Sequence, residues 1–283
     1  MNTSTSPKPV IVGYDGSDGS QRAVRWAAQH ASVTGLPLLV AHCTTWPLFT
    51  DDLGPVEGIK DSGLQNAAER TVSEGVELAA QVAPDLKITQ RLLTGFPADV
   101  LTKLSADASL LVTGTRGLGG FAGLLVGSVS LHLTASASCP IAVVREDQPA
   151  EGSVLVAVDG SPESDRAVLI AAGLAEALNQ SLHLLHILPY RRHPADVAAN
   201  VAADSERDPV IQQSRNLLPT DTKLTIAEEA TTATSTPGAI IERARTASCV
   251  VLGAKGRNTL GARLGSTVHA VLHHTTSNVI VVR

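Results

Sequence analysis

The sequence is an internal duplication, and no other feature narrows the possible folds as far. The stretch Val10-Ile-Val-Gly-Tyr-Asp15-Gly-Ser-Asp-Gly-Ser returns as Val154-Leu-Val-Ala-Val-Asp159-Gly-Ser-Pro-Glu-Ser. A helical pattern follows each, opening on Arg22-Ala-Val or Arg166-Ala-Val. Farther on, Leu38-Leu-Val-Ala-His42 is matched by Leu182-His-Leu-Leu-His186, and Leu110-Leu-Val-Thr-Gly114-Thr-Arg-Gly117 by Val250-Val-Leu-Gly253-Ala-Lys-Gly256. Both copies close on Val-Val-Arg, at Arg145 and Arg283. The landmarks keep their order, so the 283 residues divide into domains at 1–146 and 153–283, joined by a charged linker from Glu146 to Gly152.

Within each copy, short apolar runs alternate with longer helical patterns. In the first, the spacing predicts strands near 9–14, 37–43, 87–93, 109–114 and 141–145, with helices near 19–34, 62–83, 97–106 and 128–137. In the second it predicts strands near 153–158, 181–188, 222–229, 249–253 and 279–282. The segment 190–209, rich in proline and polar groups, reads largely as loop. The strand runs are apolar and β-branched at nearly every position, as in parallel sheets covered on both faces. Alternating strand and helix then gives α/β architecture, two tandem doubly wound parallel-sheet domains.

Hydrophobic residues make up 43% of the chain and charged residues 17%, enough for a sizeable core. With two tryptophans, two tyrosines and three phenylalanines, that core has to be aliphatic. The same scarcity removes the aromatic platforms on which single-stranded nucleic acid is held, and a net charge of −5 supplies no basic footprint. The densest basic pair is Arg191-Arg192, so no nucleic-acid partner is expected. Cys43, Cys139 and Cys249 share no metal-ligand spacing and read as buried small hydrophobes in a reducing compartment. No signal-peptide hydrophobic region and no membrane-length apolar run is found, so a soluble, cytoplasmic protein with no membrane partner is expected.

Open α/β sheets bind ligands outside the C-terminal strand ends, where the strand order reverses. Two segments there carry chemistry. Asp15-Gly-Ser, with its counterpart Asp159-Gly-Ser, places a carboxylate that can accept hydrogen bonds from ribose hydroxyls or an adenine amine. Equally, Asp-Gly-Ser can simply turn the chain and cap the next helix through Ser17, Asp18, Ser20, Ser161 or Ser164. The second segment is Gly114-Thr-Arg-Gly117, then nine residues, then Gly127-Ser128-Val-Ser130 opening a helix. Glycines let backbone N–H groups approach a phosphate, and a helix N-terminus adds unpaired donors and a positive dipole end. Ser128 and Ser130 add hydroxyls and Arg116 a charge. The structural alternative is a glycine-rich connection with Ser128 as a helix cap. Neither a Walker A loop nor a Rossmann fingerprint is present.

Gly-x2-Gly-x9-Gly-Ser after an apolar fourth strand resembles the ATP-binding signature of the universal stress protein family, whose fold is Rossmann-like and similar to the adenine nucleotide α-hydrolases. Gly114, Gly117, Gly127 and Ser128 match it fully, and Val-Gly-Tyr14-Asp15-Gly-Ser and Ala-Ser-Cys139-Pro-Ile-Ala-Val-Val-Arg are similar to it as well. The resemblance implies ATP with Mg2+ across the ends of strands one and four. Tyr14 and Asp15 would lie near the ribose and adenine, and the backbone at Cys43 beside the base. Gly114, Thr115, Arg116 and Gly117, with Gly127, Ser128, Val129 and Ser130, would surround the phosphates. It further implies a stress-response regulator, an intrachain pseudo-dimer of the two repeats and a homodimer.

The second copy departs from the signature, with eight residues rather than nine between Gly256 and Gly265. Lys255 stands for Arg116, and Ser266-Thr267 follows the last glycine. The shorter loop still offers phosphate donors but aims them differently. Its candidate contacts are Val158, Asp159, Ile187, Gly253, Ala254, Lys255, Gly256, Gly265, Ser266 and Thr267. His269 and His273 have the i, i+4 spacing of a metal pair, yet no further ligand accompanies them. With His274 they read instead as complements to a helix C-terminus. His42 and His186 read as packing or hydrogen-bonding residues. A base for water, a metal clamp and a transition-state cation do not assemble, so no catalytic residue is assigned and the expectation is a binder rather than an enzyme. Alternative readings are a dimeric interaction scaffold without nucleotide, a cyclic AMP binder and a weak ATP hydrolase.

Overall fold

A computed structural model describes residues 7–45, 62–117, 126–145, 152–189, 208–256 and 264–283. The chain forms two compact units, Met1–Gln148 and Pro149–Arg283.

The first unit runs β1 (Val10–Gly13), α1 (Asp18–Thr34), β2 (Leu38–Thr44), α2 (Ser62–Val82), β3 (Ile88–Thr94), α3 (Pro97–Leu104), β4 (Leu110–Gly114), α4 (Ser128–Ser136) and β5 (Ile141–Val144). All neighbouring strands are parallel, in the order β3-β2-β1-β4-β5. The chain therefore turns outward from β1 in both directions, and the reversal falls between β1 and β4. Helices α1 and α2 pack on each other, as do α3 and α4. The sheet's centre is wholly apolar: Val10, Ile11, Val12, Leu111 and Val112 have no exposure. That double coverage is why these strands show no alternation.

The second unit repeats the plan with β6 (Ser153–Val158), α5 (Pro162–Leu178), β7 (Leu182–Pro189), α6 (Pro209–Asn216), β8 (Ile226–Ala233), α7 (Thr236–Ala244), β9 (Ala247–Gly253), α8 (Ser266–His274) and β10 (Asn278–Val282). Its strands are parallel in the order β8-β7-β6-β9-β10. The two first helices show how local chemistry repeats. Ser17 caps α1 and Ser161 caps α5, each accepting from the N–H three residues on. Each helix then ends in a left-handed residue, Gly35 at φ 67° and Asn179 at φ 53°.

One strand lies four residues later than its sequence pattern placed it, β8 at Ile226–Ala233 instead of 222–229. Its register against β7, from Leu182↔Ile226 onward, is set by pairing rather than by an apolar run. Glu228 and Glu229 interrupt that run because partners stand beside them: Arg215 near Glu228, and Arg243 and His183 on Glu229. The loop expected over 190–209 lies almost wholly outside the described residues, as do 146–151 of the expected linker. Among the described residues no helix is long and apolar enough to cross a membrane.

On α1, Trp26 and His30 stack with ring centroids 5.1 Å apart and nearly parallel planes. Burial pushes the His30 imidazole down to about 4, and its Nδ1 has no hydrogen-bond partner among the described residues. An unfolded histidine takes up its proton near 6.5, so between that value and about 4 the unfolded chain binds a proton the folded chain refuses. Stability from neutral His30 is thus present above pH 6.5 and lost as pH falls toward 4. His30→Phe keeps the stack without the proton. Its melting temperature is expected to fall less than wild type's between pH 7 and pH 4.5 (approximate bounds of that window); parallel curves for the two proteins would remove His30 as the cause.

Candidate functional site

The reversal between β1 and β4 opens into a cavity of about 520 Å³ in the first unit. Its walls are built by close backbone approach. A Cβ on Gly114, at the end of β4, would lie 2.5 Å from the carbonyl carbon and oxygen of Gly19 in the first turn of α1. A Cβ on Gly19 would in turn lie 2.5 Å from the carbonyl oxygen of Arg116. Glycine at both positions lets the outgoing β4 segment lie directly on the start of α1. The return to α4 is fixed by the Gly127 N–H, which donates to the Thr115 carbonyl at 2.6 Å.

Gly127 itself is the N-cap of α4, and no side chain caps that helix. Ser128, which the sequence allowed as the cap, is instead its exposed first residue. The first-turn N–H groups therefore face the cavity without an intrahelical acceptor, the arrangement that favours anions. Ser130 lines the cavity and has a structural part as well. It is 3% exposed, and its Oγ donates to the Gly114 carbonyl at 2.8 Å, tying α4 to the end of β4.

Across the crevice, Asp15 forms the turn and also lines the cavity. Its Oδ1 accepts from the Ser17 N–H at 3.0 Å and the Ser17 hydroxyl at 2.6 Å. Its Oδ2 reaches to Gly117, where a Cβ would collide with it. Tyr14 lines the cavity, but its ring is 3% exposed and packs on α2 at Gly75. Burial foremost, with the Glu74 carboxylate nearby, raises its phenol above the usual range. Its carbonyl is within 2.8 Å of His42 Nδ1, a hydrogen-bonding role for that histidine.

Cys43, Arg116, Gly117 and Val129 also line this cavity, whereas Thr115 does not. Thr115 is 7% exposed and serves through its carbonyl. Burial pushes the Cys43 and Cys139 thiols up to about 11 and Cys249 up to about 12, and none is in a disulfide. Protonated thiols of this kind are poor nucleophiles. Sequence reasoning missed Gly13, Ser20, Ala41, Pro97, Leu101 and Thr113. The available signal was the same rule: α3 also follows a C-terminal strand end, so its first two turns, with Pro97 and Leu101, line the same crevice.

The second unit holds a cavity of about 440 Å³ at the same place. Asp159 repeats the turn, accepting from the Ser161 N–H at 3.0 Å, and its Oδ2 stands 2.6 Å from where a Cβ on Gly256 would be. Gly265 is again an N-cap without a side-chain cap, and its N–H donates to the Ala254 carbonyl at 2.9 Å. Val158, Ile187, Gly253, Lys255, Ser266 and Thr267 line the cavity, and buried Ala254 does not. Val268 occupies the place of Ser130, so no hydroxyl ties α8 to β9. His186 also borders the cavity, and its Nδ1 lies 2.9 Å from both oxygens of Asp208, the N-cap of α6. His269 and His273 approach with ring centroids 4.5 Å apart and planes tilted by 39°. Among the described residues no group of three His, Cys, Asp or Glu side chains could hold a metal. Residues 118–125 and 257–263 lie outside the described residues.

Comparison with known proteins places this geometry. The family model described as "Universal stress protein family" matches residues 7–145 and again 152–283. The universal stress proteins Rv2005c of Mycobacterium tuberculosis and Mb2028c of Mycobacterium bovis are each 30% identical over 298 residues, spanning 97% of this chain and 96% of theirs. A universal stress protein from Archaeoglobus fulgidus shares the fold at a TM-score of 0.70 and 20% identity, covering 98% of both chains. The chain belongs to the universal stress protein family, and it carries the family's domain twice.

Proposed function

We propose that the first unit binds ATP as a regulatory ligand, with the adenosine end against α3 and the ends of β1 and β2 and the phosphates against Gly114–Gly117 and the start of α4. One observation carries the reading. A helix N-terminus without a side-chain cap, a glycine-lined strand end and the Asp15 carboxylate converge on a single cavity of about 520 Å³, a volume suited to a small-molecule ligand. Asp15 is the only carboxylate among the described residues that line it. Magnesium accompanying the nucleotide needs only one or two carboxylates, the phosphates and water, and Asp15 fits that requirement. A lone carboxylate whose Oδ1 is engaged by Ser17 supports holding a nucleotide better than turning it over.

Occupancy is the signal in this reading: bound phosphates would engage the amides on both sides of residues 118–125 and alter the surface offered to a partner, with a second copy of the chain as the expected one. Nucleotide-free protein titrated calorimetrically with ATP and magnesium is expected to bind in the micromolar range. Hydrogen exchange is expected to slow at amides 114–117 and 126–130 at saturation. Absence of binding heat would refute ATP as the ligand. Binding with unchanged exchange would refute the regulatory step alone.

A further inference from the structure

We infer that Thr113 is the residue of the first cavity that recognises a hydrogen-bond donor of the nucleoside, an N–H of the base or an O–H of the ribose. The inference rests on the reading of that cavity as an adenine-nucleotide site and names a contact within it.

Beneath α3 the cavity is built by Gly13, Ala41, Cys43, Pro97 and Leu101, none with a strong hydrogen-bonding side chain. Thr113, which lines the same cavity, is the exception. Val12 and Val112 are register partners on β1 and β4, so Thr113 stands beside Gly13, which has no side chain to fill the space there. Thr113 is 9% exposed. Buried polar groups are nearly always hydrogen-bonded, so unused capacity on one that lines a cavity points to the ligand.

The hydroxyl protons can be placed one by one. Ser130 Oγ donates its single proton to the Gly114 carbonyl at 2.8 Å. Thr113 Oγ1 lies 3.2 Å from that carbonyl and 3.4 Å from Ser130 Oγ. A carbonyl only accepts, and the Ser130 proton is already engaged, so toward both groups Thr113 can only donate. Among the described residues nothing donates to Thr113 Oγ1, and its lone pairs are left for the cavity's occupant. An ionised phosphate oxygen has no proton to give, whereas an adenine amine or a ribose hydroxyl does.

The second unit lacks this acceptor. Leu252 takes the place of Thr113 and Val268 that of Ser130, and both line the second cavity, 3% and 4% exposed. Recognition through this position is therefore a property of the first unit alone.

The deciding experiment is calorimetric titration, with magnesium, of the full chain carrying Gly256→Ala. A Cβ there would stand 2.6 Å from Asp159 Oδ2 and is expected to silence the second unit. Wild type is titrated beside it, and circular dichroism and melting temperature are recorded for every variant. The ligands are ATP, 2′-deoxy-ATP, 3′-deoxy-ATP and the triphosphate of purine riboside, which lacks the amine. Thr113→Val keeps the shape and removes the hydroxyl. It is expected to weaken ATP binding about 3- to 10-fold, the usual worth of one neutral hydrogen bond, while Thr113→Ser stays within about 2-fold. One analogue is expected to lose that same factor against Thr113 and nothing further against Thr113→Val, and its identity tells amine from ribose hydroxyl. Thr113→Ala is the second variant should Thr113→Val not fold. Unchanged ATP affinity in the folded variant, or analogue losses equal with and without the hydroxyl, would overturn the inference and leave the first site standing. Binding by wild type that is lost in folded Gly256→Ala would put the nucleotide in the second unit and overturn the inference with the reading of the first cavity. No binding by wild type would overturn the nucleotide reading altogether.

Discussion

Gly117→Ala is expected to weaken ATP binding about 100-fold while leaving the melting temperature of the protein nearly unchanged. The added Cβ would collide with Asp15 Oδ2. That carboxylate cannot simply swing away, because its other oxygen holds the Ser17 N–H and hydroxyl in the turn that opens α1. Either the segment at Gly117 retreats or the turn opens, and both displace the backbone donors on which the proposed phosphate site depends. A misplacement of about 1 Å at a positioned group costs on the order of 100-fold. The fold tolerates the change because the atom struck is the tip of a part-exposed side chain, not backbone. Titration calorimetry paired with a thermal melt separates the two effects. Undiminished affinity in Gly117→Ala would mean that the crevice between Asp15 and Gly117 is not where the nucleotide sits.

Gly114→Ala tests the opposite case, in which stability fails first. Here the Cβ would meet the Gly19 carbonyl carbon and oxygen at 2.5 Å and the Ser20 nitrogen at 3.0 Å, all backbone of the first turn of α1. Neither element can yield without separating β4 from α1 across the unit's core. Overpacking of this kind costs about 3 kcal/mol, which corresponds to a fall of roughly 6–12 °C in melting temperature for a protein of this size. The matching change in the second unit, Gly253→Ala, meets Glu163 Cβ at 2.9 Å and the Ser164 nitrogen at 3.0 Å. Its expected fall is smaller, because part of the obstruction is a side chain at the start of α5. Equal melting of wild type and Gly114→Ala would contradict the close approach from which the site is built.

The glycines at these positions illustrate what could be read in advance. Gly114, Gly117 and Gly127 stood out with Ser128 because their spacing resembles a family signature, where a few spaced glycines alone would have said little. Asp15 was legible only as a choice between turn and contact, because the same carboxylate chemistry serves both. Its Oδ1 holds the turn and its Oδ2 stands against Gly117, a placement that only the tertiary structure gives. Ser130 was read as adding a hydroxyl to the site; it lines the cavity and also holds the Gly114 carbonyl, a bond spanning 16 residues that local pattern does not encode. The start of β8 was misplaced for a similar reason, since its glutamates are neutralised by Arg215, Arg243 and His183.

Duplication, the doubly wound parallel class and the end of the sheet on which the crevice opens follow from the sequence by itself. Apolar runs at strand length, separated by amphipathic helices and repeated in the same order, leave few ways to bury the chain. Right-handed crossovers reduce those further. Tertiary structure decided the floor of each cavity. Gly13, Ala41, Pro97 and Leu101 come from three separate segments and are brought together by strand register and the docking of α3. Their counterparts Ala157, Leu185 and Ile240 look equally ordinary in the chain. The volume left for a ligand depends on how such side chains share one packed layer, a property of their contacts and not of any segment alone.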